Sequence, residues 1–239
     1  MLSQLRNMIQ EESPQFLVYL LISIIVGGFT GVLFFLDPTV FQKYLGNLNP
    51  VLMVLLMALL GFGLLLLQKS RGWFEIAQRE NLRGFGHLAI LTLPIALFAI
   101  TADFLIGFPE DTNVLFPLSL MFYPTMDFVV QVLFHLLPIT ILFIPLSRVK
   151  NEEFRERLIW FILIVVSLLE PVLQIIWSAD AGDPIGIVTF TGMNVFLVNI
   201  LEVYTFRRLD FASMYGIRLV YYLLWHIIWG YLRLLILPF

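Results

Sequence analysis

Residues 123–145 read YPTMDFVVQVLFHLLPITILFIP. The run is apolar enough to lie in a bilayer, yet it carries Asp127, Gln131 and His135 at i, i+4 and i+8. On a helix these three fall within a sector of about 80°, one above another. An acid, an amide and an imidazole stacked on one face of a membrane helix are costly in lipid, so they must face protein or water. The reading of the chain turns on what its other apolar runs bring to meet them.

Those runs dominate the sequence. Of 239 residues, 60% are hydrophobic and 13% charged, with a mean hydropathy of +0.93. A soluble domain is nearer half apolar and about a quarter charged. The charges gather in short strings between long apolar segments, which predicts an all-α polytopic integral membrane bundle, one domain over 1–239, with the lipid bilayer as its first partner. The chain has no cysteine, so disulfides, thiolate metal sites and cysteine nucleophiles are excluded. No basic patch interleaved with aromatics points to nucleic acid, and no phosphate loop points to a nucleotide-driven pump. The first apolar run starts after Pro14 and lacks a small-residue cleavage site, unlike a signal peptide. No residue pattern names a cofactor or a metal.

Seven spans are expected, near 15–36, 50–67, 87–106, 123–145, 158–177, 185–206 and 214–237. A short interfacial helix is expected at 1–12. Ser13-Pro14 is a helix start, and Gly27 with Gly31 makes a close-packing signal. The string QKSRGWFEIAQRENLRG after the second span reads as a surface helix. The fourth apolar stretch, 114–146, would be roughly 50 Å as one helix against a hydrocarbon core of about 30 Å. It holds Pro117, Pro124, Pro138 and Pro145. A short piece before Pro124 and a spanning helix kinked near Pro138 are expected. With the N-terminus in the cytoplasm and the C-terminus outside, twelve of the fourteen Lys and Arg residues fall on the inner side, leaving Lys43 and Arg233 outside.

Counting from the span ends places Asp127, Gln131, Glu170, Asn194 and His226 near the bilayer middle. His135 lies slightly to the cytoplasmic side, Gln174 lies nearer the outer end, and Asn199 follows Asn194 on the sixth span. The seventh span carries Arg218, Tyr222, His226, Gly230 and Arg233 on one stripe. Asn and Gln pairs between membrane helices serve as packing glue. A buried Asp or Glu costs more and needs a partner or a proton. A carboxylate beside a histidine suits general-base work on water, and equally proton relay or ligand binding.

The chain resembles the CAAX-processing and bacteriocin-maturation (CPBP) family of glutamic intramembrane proteases. That family carries EExxxR, FxxxH and HxxxN on successive membrane helices. A literal EExxxR stands at Glu152, Glu153 and Arg157, in the charged string NEEFRER. The alternative is PTMDFVVQ, where Asp127 takes the second acidic place and Gln131 the arginine's. LEPVLQ, with Glu170 and Gln174, replaces FxxxH, and HIIWG keeps His226 with Gly230 in the Asn position. The resemblance implies hydrolysis of a membrane peptide. Asp127 or Glu170 would be the base, His135 and His226 would orient water, and Asn194 or Asn199 would stabilise the oxyanion. Gln131, Gln174, Arg218 and Tyr222 would line the binding site. The alternative is a non-catalytic membrane subunit or carrier that uses the same polar groups with other membrane subunits, a ligand or protons.

Overall fold

The computed structural model describes residue 10 and residues 12–237. The expected interfacial helix at 1–12 lies almost wholly outside them. Among the described residues, seven helical segments are long and apolar enough to cross a membrane: α1 (Ser13–Leu36), α2 (Pro50–Ser70), α3 (Arg79–Ile106), α4 (Ser119–Arg148), α5 (Glu152–Asp180), α6 (Ile185–Arg208) and α7 (Phe211–Ile236). Half of the apolar window is buried in α4 and in α6, and a third or less in the others. Those two are therefore the central helices. α1 and α2 pack on α4, α3 and α5 pack on α6, and α7 lies between α4 and α6. The loops ahead of α3, α5 and α7 define a basic face. The others define an acidic face.

The helix ends follow local chemistry. Asn49, Asn151 and Asp210 cap α2, α5 and α7 through side-chain oxygens that accept from backbone N–H groups. α5 begins at Glu152, so NEEFRER is its first turns rather than a loop. Glu153 and Arg157 pair there at 2.5 Å, both about three-quarters exposed. The string after α2 forms no surface helix. Gly72 turns at φ +64°, and Phe74 and Ile76 then bury in the core. Phe74 stacks on Phe206 at 4.2 Å. The backbone carbonyls of Glu75 and Ile76 accept from Phe211 and Ala212. Burial of two large side chains outweighed the helical pattern. The Gly27 and Gly31 pair packs against nothing within the described chain.

α4 is irregular near Pro138 and at Pro145, as its prolines suggest, but not at Pro124. The helix starts at Ser119 and passes through Pro124 without a break. So near its start, that proline forfeits one ladder bond, to Leu120. Besides a 3-10 turn at Pro145–Arg148, the helix holds a π segment, Gln131–Leu136, just ahead of Pro138. α7 has a second one, Leu223–Trp229. Each holds one of the histidines of the bundle interior, His135 and His226. A π turn adds a residue and re-aims the side chains around it. In α4 the Leu136 carbonyl accepts from Thr140 Oγ1 at 2.6 Å and from Gln68 Nε2 of α2 at 3.3 Å.

Candidate functional site

Arg218 of α7 is 2% exposed and is the hub of the interior. Its Nε donates to Glu202 Oε1 at 2.5 Å and its Nη2 to Glu202 Oε2 at 2.8 Å. Nη1 and Nη2 donate to the two oxygens of Glu170 at 3.1 and 2.8 Å. Nη2 also donates to Asn199 Oδ1. The plane of Tyr222 lies beside the guanidinium, 5.9 Å from its carbon. Two carboxylates clamped on one planar cation is the geometry that makes burial of such charges tolerable.

Local sequence places these groups. Pro171 has no N–H, so the Ser167 carbonyl one turn earlier lacks its helical donor. Asn199 Nδ2 supplies one at 3.2 Å, which turns its Oδ1 toward Arg218. Gln174, one turn after Glu170, donates to Glu170 Oε1 at 2.9 Å.

The α4 side of the cluster is left incomplete. Asp127 Oδ1 accepts from Gln131 Nε2 at 3.1 Å and stands 3.8 Å from Arg218 Nε. Asp127 Oδ2, Gln131 Oε1 and both ring nitrogens of His135 are buried with no hydrogen-bond partner. His135 Nε2 lies 3.8 Å from Glu202 Oε2, too far for a direct bond. Asp127, Gln131 and His135 are all 0% exposed. Three carboxylates therefore meet one guanidinium, and the cluster holds four unfilled polar atoms. The set is short of donors. Among the described residues, no group of three or more His, Asp or Glu is arranged to hold a metal ion.

Two expected members stand elsewhere. His226 makes no hydrogen bond or ion pair to Asp127, Gln131 or His135 among the described residues. Its Nδ1 meets Asn113 Oδ1 at 2.6 Å, and its ring stacks on Tyr123 at 4.5 Å. Asn194 donates instead to the Tyr221 hydroxyl. Both lie nearer the acidic face than Arg218. Arg233, counted on the outer side from the sequence, lies inside the bundle. It is 0% exposed and grips Asp103 with Nε–Oδ2 2.7 Å and Nη2–Oδ1 2.9 Å. Trp229 Nε1 also donates to Asp103 Oδ2, at 2.8 Å.

Glu202 is the central residue that span-end counting undervalued. It sits four residues before Phe206 and so reads as interfacial. The signal for it was the pairing of Asn199 and Glu202 at i, i+3 on α6, opposite an arginine that needs acids. Asp103 was legible only as an acid inside an apolar run.

Comparison with family models, with curated proteins and with solved structures finds no match to this chain. Fold and composition alone define its class, an α-helical multi-pass integral membrane protein.

Proposed function

We propose that the chain is a divergent CPBP-like intramembrane hydrolase of membrane peptides, with its site at the α4 edge of the Arg218 cluster. The observation that carries this is the fully buried His135, free at both nitrogens on the same helix as the free Asp127 Oδ2 and Gln131 Oε1. A carboxylate oxygen and an imidazole, both buried and without partners on one helix, are the groups that general-base catalysis on water needs. Asp127 takes a proton from the water as its oxygen attacks the peptide carbonyl. That proton then passes to the leaving amine, so one water is consumed per bond cleaved. Glu170 and Glu202 are occupied by Arg218, so they position and do not react. Asn199 is likewise committed to Arg218, and the nearby guanidinium carries the charge that favours a developing oxyanion. The basic face is cytoplasmic in this reading. With Arg218 and Arg233 both inside the bundle, Lys43 is the only basic residue assigned to the other side.

The test is cleavage of fluorogenic membrane peptides by the purified protein in nanodiscs. Asp127→Asn and His135→Phe each abolish it, and Glu152→Ala does not. Absence of hydrolysis across a broad peptide panel, or hydrolysis indifferent to both changes, ends the reading.

A second reading rests on the saturation of Arg218. With Glu170, Glu202 and Asn199 all engaged, the cluster also suits a carrier or subunit that passes protons through Asp127 and His135. Proton flux into proteoliposomes that is lost in Asp127→Asn, without peptide cleavage, selects it.

A further inference from the structure

Asn113 belongs to the acidic-face loop between α3 and α4, yet it is only 5% exposed. Its side chain reaches in between α4 and α7. Oδ1 receives His226 Nδ1 at 2.6 Å and the Tyr123 hydroxyl at 3.3 Å, while Nδ2 has no partner. Gly230 makes the seat. A Cβ there would stand 3.0 Å from Asn113 Nδ2 and 3.2 Å from its Cβ and Cγ. Inward from Asn113 the contacts continue without interruption. His226 meets Tyr222 at 5.0 Å between ring centroids, and Tyr222 meets the Arg218 guanidinium at 5.9 Å.

The loop is held unevenly. Arg233 ties its first part through the carbonyls of Phe108, Pro109 and Glu110. Beyond that, Val114 and Leu118 pack on the Phe41, Phe122 and Tyr123 cluster, and the carbonyls of Leu115, Pro117 and Leu118 accept from the start of α4. Lys43 pairs with Asp111 at 2.9 Å, but both are more than half exposed. Val114 N donates to the Tyr123 hydroxyl at 3.1 Å. Leu115 and Phe116 are more than half exposed. The side-chain anchor that enters the column is Asn113, and it is seated with an unsatisfied donor, which weakens its hold.

We propose that residues 111–118 are a lid over this column, that Asn113 in the Gly230 seat is its latch, and that the buried cluster is reached from the acidic face when the latch withdraws. The inference rests on the reading above only in taking the Arg218 cluster as the destination, and its test needs no hydrolysis.

The absence of native cysteine makes the test direct. Tyr222→Cys places one thiol in the column, and its reaction with a small charged methanethiosulfonate is timed in nanodiscs. Adding Asn113→Ala speeds labelling roughly tenfold, as loss of one hydrogen-bonded latch allows. In the same Tyr222→Cys background, Asn113→Cys with Gly230→Cys brings two Cβ atoms within a few tenths of an ångström of the disulfide range of about 3.5–4.5 Å. Oxidation of that pair stops labelling and reduction restores it. Hydrogen exchange at residues 112–118, measured without the reporter, also quickens in Asn113→Ala. Labelling that ignores both the Asn113→Ala change and the crosslink overturns the proposal. So do a reporter silent in every background and exchange that does not change.

Discussion

The guanidinium of Arg218 and the carboxylate of Glu202 lie side by side, Nε 2.5 Å from Oε1 and Nη2 2.8 Å from Oε2, with Glu202 fully buried. This pair joins α6 to α7, and the same guanidinium reaches α5 through Glu170. Removing one partner strands the other in the membrane interior. Arg218→Leu should therefore cost about 3–5 kcal/mol. Arg218→Lys should rescue little, because an ammonium cannot present two parallel N–H groups to each of two carboxylates. Thermal unfolding in detergent measures both. A Lys variant melting with the wild type would show that charge alone suffices.

Arg233 and Asp103 repeat the arrangement at the acidic face, and Arg233 also collects three loop carbonyls. Arg233→Met should destabilise α7 against α3 by about 3–5 kcal/mol and free the loop after α3. Limited proteolysis should then cut between residues 107 and 112, where the wild type resists.

Gly230→Ala has two opposing effects. Alanine favours a helix over glycine by about 1 kcal/mol, but its methyl meets Asn113 at 3.0–3.2 Å. The substitution should be neutral or destabilising alone and stabilising in an Asn113→Gly background, where every atom that the methyl meets is gone. A double-mutant cycle on melting temperature reads the sign change. Additive effects would mean that the two residues do not press on each other.

NEEFRER is a solvated helix start with Glu153 and Arg157 exposed. Glu152→Ala and Glu153→Ala should each change stability by no more than about 0.5 kcal/mol and leave any activity intact. A large loss of activity at normal expression would restore the literal EExxxR motif.

At the basic face, burial works against ionisation of Glu75, but hydrogen bonds from Lys69 and Gln15 outweigh it and lower its pKa below the ordinary 4.5. The sign follows from linkage. A depressed folded pKa stabilises fully above the ordinary value, and that contribution is lost as pH falls through the lowered one. Glu75 is partly exposed, so solvent screens the effect. Melting temperature measured from pH 6 down to about 3 should fall less steeply in Glu75→Gln than in the wild type. Parallel curves would remove Glu75 from the acid response.

Hydropathy and charge strings alone settled the seven spans. Crossing a bilayer demands about twenty apolar residues per helix, and charges stay at its edges. The stacking of Asp127 and Gln131, and the presence of Glu170, Asn199 and Arg218 within the spans, were legible as polar residues that lipid does not solvate. Which acids met which cation was not. Depth counted along one helix fixes height but not rotation, and the two π segments that hold His135 and His226 depart from the 3.6-residue period on which such a count rests. Only the tertiary structure gave Glu202 to Arg218 and Asp103 to Arg233. Only it drew Asn113 from a loop to His226, because a glycine on α7 left room for a side chain far away in sequence.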